Sequence, residues 1–324
     1  MLVAEVRTVH VLLAIDGSDC SKTATDLVAA LPWTPGTTVR VMRAVEPLHR
    51  ELGAWELIAT YDSEPDERDA VSAAEADVEA TAARLREIGL RTEHVVARDR
   101  AASAIIADAD RRRPELIVVG SHGYSALDRA LLGSVSAEVV DHSPVPVLVA
   151  RRPTLSHALI AVDGSDISLD AVDVVARWPL LAKARNTVLS VIPVSAAWWR
   201  SIAVGDLTAA QPLASVSTSS VVQSYERFAH EAATRIGAVG IGSSILVRSG
   251  APAAEVLECA REIDADLIVL GSHGRTGLTR LVLGSVARSV LNRASCSVLI
   301  VRRHQETAPV KEVSHVLAAG LIPA

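Results

Sequence analysis

Short, nearly unbroken apolar runs alternate along the chain with longer stretches whose apolar residues recur every three or four positions. VLLAID (Val11 to Asp16), TVRVMRAVEP (Thr38 to Pro47), ELIVVG ending at Gly120 and VPVLVARR ending at Arg152 are runs of the first kind. They are rich in Val, Leu and Ile, short, and bounded by turn residues, as strands buried on both faces are. Between the first two, Ala24, Leu27, Val28 and Leu31 fall at i, i+3, i+4, i+7, one face of a helix. Further helices are predicted around Ala70 to Ile88 and over Ala101 to Arg112.

The same order then repeats. ALIAVDGSD (Ala158 to Asp166) echoes VLLAIDGSD (Val11 to Asp19). Ile167, Ala171, Val174, Val175 and Trp178 keep a helical face, TVLSVIPV (Thr187 to Val194) is a strand, and Pro252 to Ile263 is a helix. DLIVLG ends at Gly271, and CSVLIVRR ends at Arg303. Ser18 or Asp19, and Ser165 or Asp166, are placed to cap the helix after each first strand. The stretch LTAAQPLASVSTSS, in the second half, reads as a polar loop. Strands alternating with helices predict, in each half, an open α/β domain with a parallel sheet and right-handed crossovers. The expected division is 1–152, 153–304 and a tail, 305–324, with the joint near Arg152 to Ser156.

A chain of 324 residues fits two such domains of roughly 150 residues each. Aromatics are only 3%, so the cores are built from Ala, Val, Leu and Ile. With 38 acidic against 32 basic residues and no long basic run, nucleic acid is not the expected partner. Cys20, Cys259 and Cys296 are scattered and show no C-x-x-C spacing, so neither disulfides nor a zinc site is expected, and a reducing cytoplasm fits. No apolar run approaches the roughly 20 residues that span a bilayer. MLVAEVRTVHVLLAID has neither a basic leader nor an A-x-A site, and reads as a first strand.

The chemistry lies in a sixteen-residue phrase written twice, GSHGYSALDRALLGSV from Gly120 and GSHGRTGLTRLVLGSV from Gly271, 151 residues apart. Both copies keep G-x-x-G, nine residues, then G-S: Gly120, Gly123, Gly133, Ser134, and Gly271, Gly274, Gly284, Ser285. Each copy follows a strand, where open α/β sheets bind ligands. The first glycines permit a tight turn with N–H groups close to a ligand, and the G-S pair opens a helix whose N-terminus attracts anions. A polyphosphate is the natural ligand; the bland alternative is that the glycines only form turns. No G-x-G-x-x-G follows the first strand, which weighs against a dinucleotide fold. Gly17 to Thr23 lacks the second glycine of a P-loop and reads as a helix start with an outward lysine. His122 and His273 lack a partner nucleophile and orienting carboxylate, so loop packing is preferred to catalysis. Cys20, at a helix N-terminus, is the cysteine placed for a lowered pKa. Trp198 and Trp199 are either an exposed patch or a lid.

These motifs resemble the universal stress protein family in its tandem form, over Val11 to Arg152 and Leu155 to Arg303. G-x-x-G-x9-G-[S/T] is that family's ATP-binding signature. The resemblance implies an adenine nucleotide alpha hydrolase-like fold, with a five-stranded parallel sheet in each half and ATP, with Mg, at the strand ends. In the first half it implies contacts from Ala14, Ile15 and Asp16, from Ala44 against adenine, and from Val119, Gly120, Ser121, His122 and Gly123. Gly133, Ser134 and Val135 would complete that site. In the second half it implies Ala161, Val162 and Asp163, with Val191 against adenine. Gly250 and Pro252 of a G-x-P turn join Leu270, Gly271, Ser272, His273 and Gly274, and then Gly284, Ser285 and Val286. Asp16 and Asp163 would lie beside ribose or phosphates, and the N–H groups of Val135 and Val286 would hold phosphate.

The resemblance further implies that Val145 to Val149 pairs with Val298 to Val301 as an internal pseudo-dimer, that two chains associate, and that an unidentified protein partner reads the nucleotide state. The first half departs from the family at Asp99-Arg100-Ala101, in place of G-x-P. The second site is therefore expected to bind ATP well and the first weakly, unless Arg100 pairs with phosphate. A slow ATPase, a nucleotidyl transferase, or a binder of another adenylate such as a cyclic nucleotide are the alternatives on the same fold.

Overall fold

The computed structural model of the chain describes residues 8–47, 64–123, 132–194, 218–274 and 283–302. The first half runs β1 (His10–Ala14), α1 (Asp19–Ala30), β2 (Thr38–Val45), α2 (Glu64–Glu87), β3 (Arg91–Arg98), α3 (Ala101–Arg112), β4 (Leu116–Gly120), α4 (Ser134–His142) and β5 (Val147–Ala150). The second runs β6 (His157–Val162), α5 (Asp166–Arg177), β7 (Arg185–Pro193), α6 (Thr218–Gly237), β8 (Ser244–Gly250), α7 (Pro252–Glu262), β9 (Leu267–Gly271), α8 (Ser285–Arg293) and β10 (Ser297–Val301).

Five parallel strands in the order β3-β2-β1-β4-β5 form the first half, and β8-β7-β6-β9-β10 form the second. The two sets meet where β5 and β10 pair antiparallel, Val149 opposite Val298 and Val147 opposite Ile300, so the sheet is continuous over ten strands. Helices cover both faces, which is why the strands read as unbroken apolar runs. Successive residues of one strand enter different cores: Val11 and Leu13 pack with Ala24, Val28 and Leu85, while Leu12 packs with Ile105 and Val139. Among the described residues no helix is long and apolar enough to cross a membrane.

Two half-buried arginines cross the junction. Arg151, after β5, donates from Nη2 to the carbonyl of Leu291 in α8 at 2.7 Å. Arg302, after β10, donates to the carbonyls of Val140 and Asp141 in α4 at 2.7 and 2.5 Å. Each half thus satisfies free carbonyls near the C-terminal end of the other half's last helix. Burial lowers the pKa of both guanidiniums below the ordinary arginine value. Arg288 of α8 and Asp141 of α4 add an ion pair at 2.9 Å.

The capping expectation resolves to the serines: Ser18 accepts from the N–H of Ser21, and Ser165 from that of Ser168. Lys22 is exposed beside Asp19, as a helix start requires. Two elements differ from the sequence reading. α2 begins at Glu64 rather than near Ala70, its first turns being charged rather than apolar. The segment read as a polar loop gives way at Thr218 to a twenty-residue helix, α6. Its buried stripe is Tyr225, Ala229, Ala232 and Ile236, a helical spacing made inconspicuous by small residues. Trp198, Trp199 and the tail from 305 lie outside the described residues.

Candidate functional site

In both halves the central strand has its neighbours on either side joined by crossovers of opposite direction, so a crevice opens beyond its carboxyl end. β6 ends at Val162, and Asp163 follows. Gly164 then takes a positive φ of +77°, which lets the chain turn into α5. The Asp163 Oδ1 accepts from the Ser165 N–H at 3.0 Å and from its hydroxyl at 2.6 Å, fixing the carboxylate at the strand end. The other carboxylate oxygen lies against the glycine loop, for a Cβ on Gly274 would stand 2.6 Å from Oδ2.

The glycine phrase folds back on itself. Gly271 ends β9 in contact with α5, where a Cβ would come within 2.8 Å of Ile167 Cγ2 and 3.0 Å of its carbonyl oxygen. The Gly284 N–H donates to the Ser272 carbonyl at 2.8 Å, which joins the start of α8 to the loop after β9. The free N–H groups of the first turn of α8 therefore stand beside residues 272–274 and give the cleft a partial positive end. Val286 is 37% exposed there, its side chain outside the core.

The first half repeats this geometry. Asp16 Oδ1 accepts from the Ser18 N–H at 2.9 Å, a Cβ on Gly123 would lie 2.8 Å from Asp16 Oδ2, and Gly120 packs on the backbone of Cys20. The Gly133 N–H donates to the Ser121 carbonyl at 2.8 Å. Val135 is exposed like its counterpart, and Ser136 donates to the Gly120 carbonyl at 2.6 Å.

Each constellation lines a cavity. The first, about 440 Å³, takes in Ala14, Ile15, Asp16, Ala44, Val119, Gly120, His122, Gly123, Gly133, Ser134 and Val135. The second, about 810 Å³, takes in Ala161, Val162, Asp163, Val191, Pro252, Leu270, Gly271, Ser272, His273, Gly274, Gly284, Ser285 and Val286. Two residues expected at these sites lie outside the lining. Ser121 is buried, its hydroxyl near Cys20 Sγ and His122 Nδ1. Gly250 ends β8 and is covered by Glu255, whose carboxyl oxygen takes the place an added Cβ would need. Lining residues that the sequence reading did not reach are Ser21, Met42, Ala101, Ile105, Leu132 and Ser136 in the first cavity, and Ser168, Leu189, Pro193, Tyr225, Val256, Leu283 and Ala287 in the second.

The β3 end of the first half carries Asp99 and Arg100. Asp99 Oδ1 accepts from the Arg100 N–H at 2.8 Å, and Arg100 is exposed with its Nε 3.8 Å from Glu46, outside the first cavity. Arg43 and Asp77 pair nearby, joining β2 to α2. In the second half Pro252 stands in the first turn of α7 and lines the cavity.

The chemistry on offer is recognition of an anion by backbone groups. Neither lining includes Lys or Arg among the described residues, and each holds one carboxylate. The histidines are oriented by their own neighbours: His273 Nδ1 lies 3.1 Å from Ser272 Oγ, and His122 Nδ1 3.0 Å from Ser121 Oγ. A catalytic triad would need a carboxylate in that position instead. Cys259 and Cys296 are buried thiols; burial raises the pKa of both, that of Cys296 to about 11.

The universal stress protein family model matches residues 8–151 and 155–302. A universal stress protein of Mycobacterium tuberculosis is 32% identical over 202 residues, covering 58% of this chain and 62% of that relative. The chain thus spans less than two thirds of that relative's length. A second from the same organism is 26% identical over 340 residues, covering 94% of this chain and 98% of its own. Among solved structures, a universal stress protein from Archaeoglobus fulgidus matches with a TM-score of 0.60 at 22% identity, over 91% of this chain and 98% of that one.

Proposed function

The chain belongs to the universal stress protein family, and on that premise we propose that it is a nucleotide-dependent stress-response module whose second cleft binds ATP. The observation that supports this reading is the two-sided cradle of that cleft. The loop 271–274 and the N-terminal turn of α8 are held together by the Gly284–Ser272 hydrogen bond, beside Asp163, over a cavity of about 810 Å³. N–H groups from both sides would receive phosphate oxygens, and Gly274 leaves room for the Asp163 carboxylate beside them.

The first cleft has the same cradle but a smaller cavity, with Asp99 and the Arg100–Glu46 pair at the β3 end. We assign it weak nucleotide binding, because Asp99 adds negative charge on that side and Arg100 is turned to Glu46. Among the described residues no group of three His, Cys, Asp or Glu could hold a metal ion. Mg²⁺ would enter with the phosphates beside the Asp163 carboxylate, and its chemistry there would be charge neutralisation. Ligand occupancy has a physical route outward. α8 begins at the cradle; Arg288, one turn along it, pairs with Asp141 of the first half, and Leu291 near its other end meets Arg151. Titration calorimetry with Mg-ATP tests the reading: one tight site per chain is expected, removed by substitution at Gly284 and retained after the same substitution at Gly133.

A further inference from the structure

The second cleft has a feature that the first lacks. Matching turns align the crossover helices of the two halves: Gly89 and Gly240 both take positive φ, and the Leu90 N–H bonds to Leu85 as the Ile241 N–H bonds to Ile236. This register, an offset of 151 residues, sets Tyr225 of α6 opposite Ala74 of α2, and Phe228 opposite Asp77. Ala74 is fully buried and does not reach the first cavity, whereas Tyr225 lines the second. Tyr225 is the one phenyl or phenol ring among the described residues lining either cleft, in a chain with 3% aromatics.

The ring is held in place. Tyr225 and Phe228 pack edge to face with centroids 5.5 Å apart at 72°, and Tyr225 is 8% exposed. Phe228 in turn lies on Gly164, where any Cβ would come within 2.5 Å of the ring. The sheet order puts Tyr225 across from the anion cradle. α6 connects β7 to β8 on one side of β6, while the glycine phrase follows β9 on the other. Pro193 from β7 and Pro252 from α7 add apolar surface on that same side. The corresponding side of the first half carries Glu46, Asp99 and the Arg43–Asp77 pair.

We infer that Tyr225 is the base-reading residue of the second cleft: its ring packs against the planar base of a nucleotide whose phosphates lie in the Gly271–Gly284 cradle. This rests on the nucleotide reading above and specifies how that site tells a nucleotide from a bare polyphosphate. The test uses the full chain carrying Gly133→Val, which confines binding to the second cleft, with Mg-ATP and inorganic triphosphate as the two probes in calorimetry. Tyr225→Ala is expected to weaken ATP about tenfold, the range of a lost base–aromatic contact, and to leave triphosphate within about twofold. Tyr225→Phe is expected to bind both probes as the parent does. Unchanged ATP affinity in Tyr225→Ala would overturn the assignment while leaving ATP binding intact. An equal loss of both probes would overturn it too, since a structural role moves them together. Binding of neither probe by the Gly133→Val chain would overturn the nucleotide reading and this inference with it. Thermal melts of each variant establish that the chain compared is folded.

Discussion

Gly284→Val is the substitution that separates a phosphate cradle from an inherited turn. Gly284 has φ −61° and ψ 154°, a conformation open to any residue, so valine brings no backbone strain. Its Cβ would stand 3.1 Å from the Ser272 carbonyl oxygen and 3.3 Å from His273 Cα, contacts that a few tenths of an ångström of loop movement relieve. Its two methyl groups need further room, and the space they can take is the mouth of the cradle. The cost to the fold is that of overpacking at a partly open site, about 1 kcal/mol. The cost to an anion is larger. Displacing phosphate from two N–H donors at the start of α8 forfeits two charge-assisted hydrogen bonds, about 1.5–3 kcal/mol each. That corresponds to a loss of about 100-fold or more in affinity. Calorimetry with Mg-ATP measures the affinity, and a thermal melt the fold. A folded Gly284→Val chain that binds ATP as the parent does would refute the reasoning, because no phosphate could then lie at the start of α8.

Asp163→Ala removes the acceptor of two Ser165 hydrogen bonds and the carboxylate beside Gly274. It should weaken Mg-ATP at the second cleft and cost the fold only about 1 kcal/mol; cooperative loss of structure on melting would show a purely structural carboxylate. Arg302→Ala strips two carbonyls of α4 of their donor across the junction. A loss of about 2 kcal/mol, or roughly 5 °C in melting temperature, is expected, and an unchanged melt would contradict the cross-junction clamp. Iodoacetamide at pH 8 should label Cys20, which is partly exposed, well before the other two thiols. A thiol whose pKa burial raises to about 11, as for Cys296, holds only about 0.1% thiolate at that pH; the protection of both buried thiols disappears on unfolding. Equal labelling of all three cysteines in the native chain would contradict this.

The strands and the phosphate end of each cleft were legible in the sequence for a shared reason. Strands buried on both faces must be apolar throughout, and a loop packed against α5 and against a carboxylate must be glycine at Gly271 and Gly274. Those constraints act within a few residues, so they leave a local pattern, and its repetition at 151 residues made it conspicuous. The other end of the cleft is assembled from residues far apart in sequence. Tyr225 reaches the cavity only because α6 crosses over β7, and α6 itself was hidden by a buried stripe rich in alanine. Setting the halves in register would have shown a tyrosine opposite an alanine, a signal available before the fold. The Gly250 expectation shows the reverse: a residue in the right turn whose near face is taken by Glu255, a contact that no local pattern announces.

The most direct measurement is the nucleotide carried by chain purified without added nucleotide, released by denaturation, separated by chromatography and counted per chain. About one ATP per chain is expected, absent from Gly284→Val and retained in Gly133→Val. No nucleotide in the parent, and none taken up from Mg-ATP, would contradict a nucleotide-binding role for either cleft.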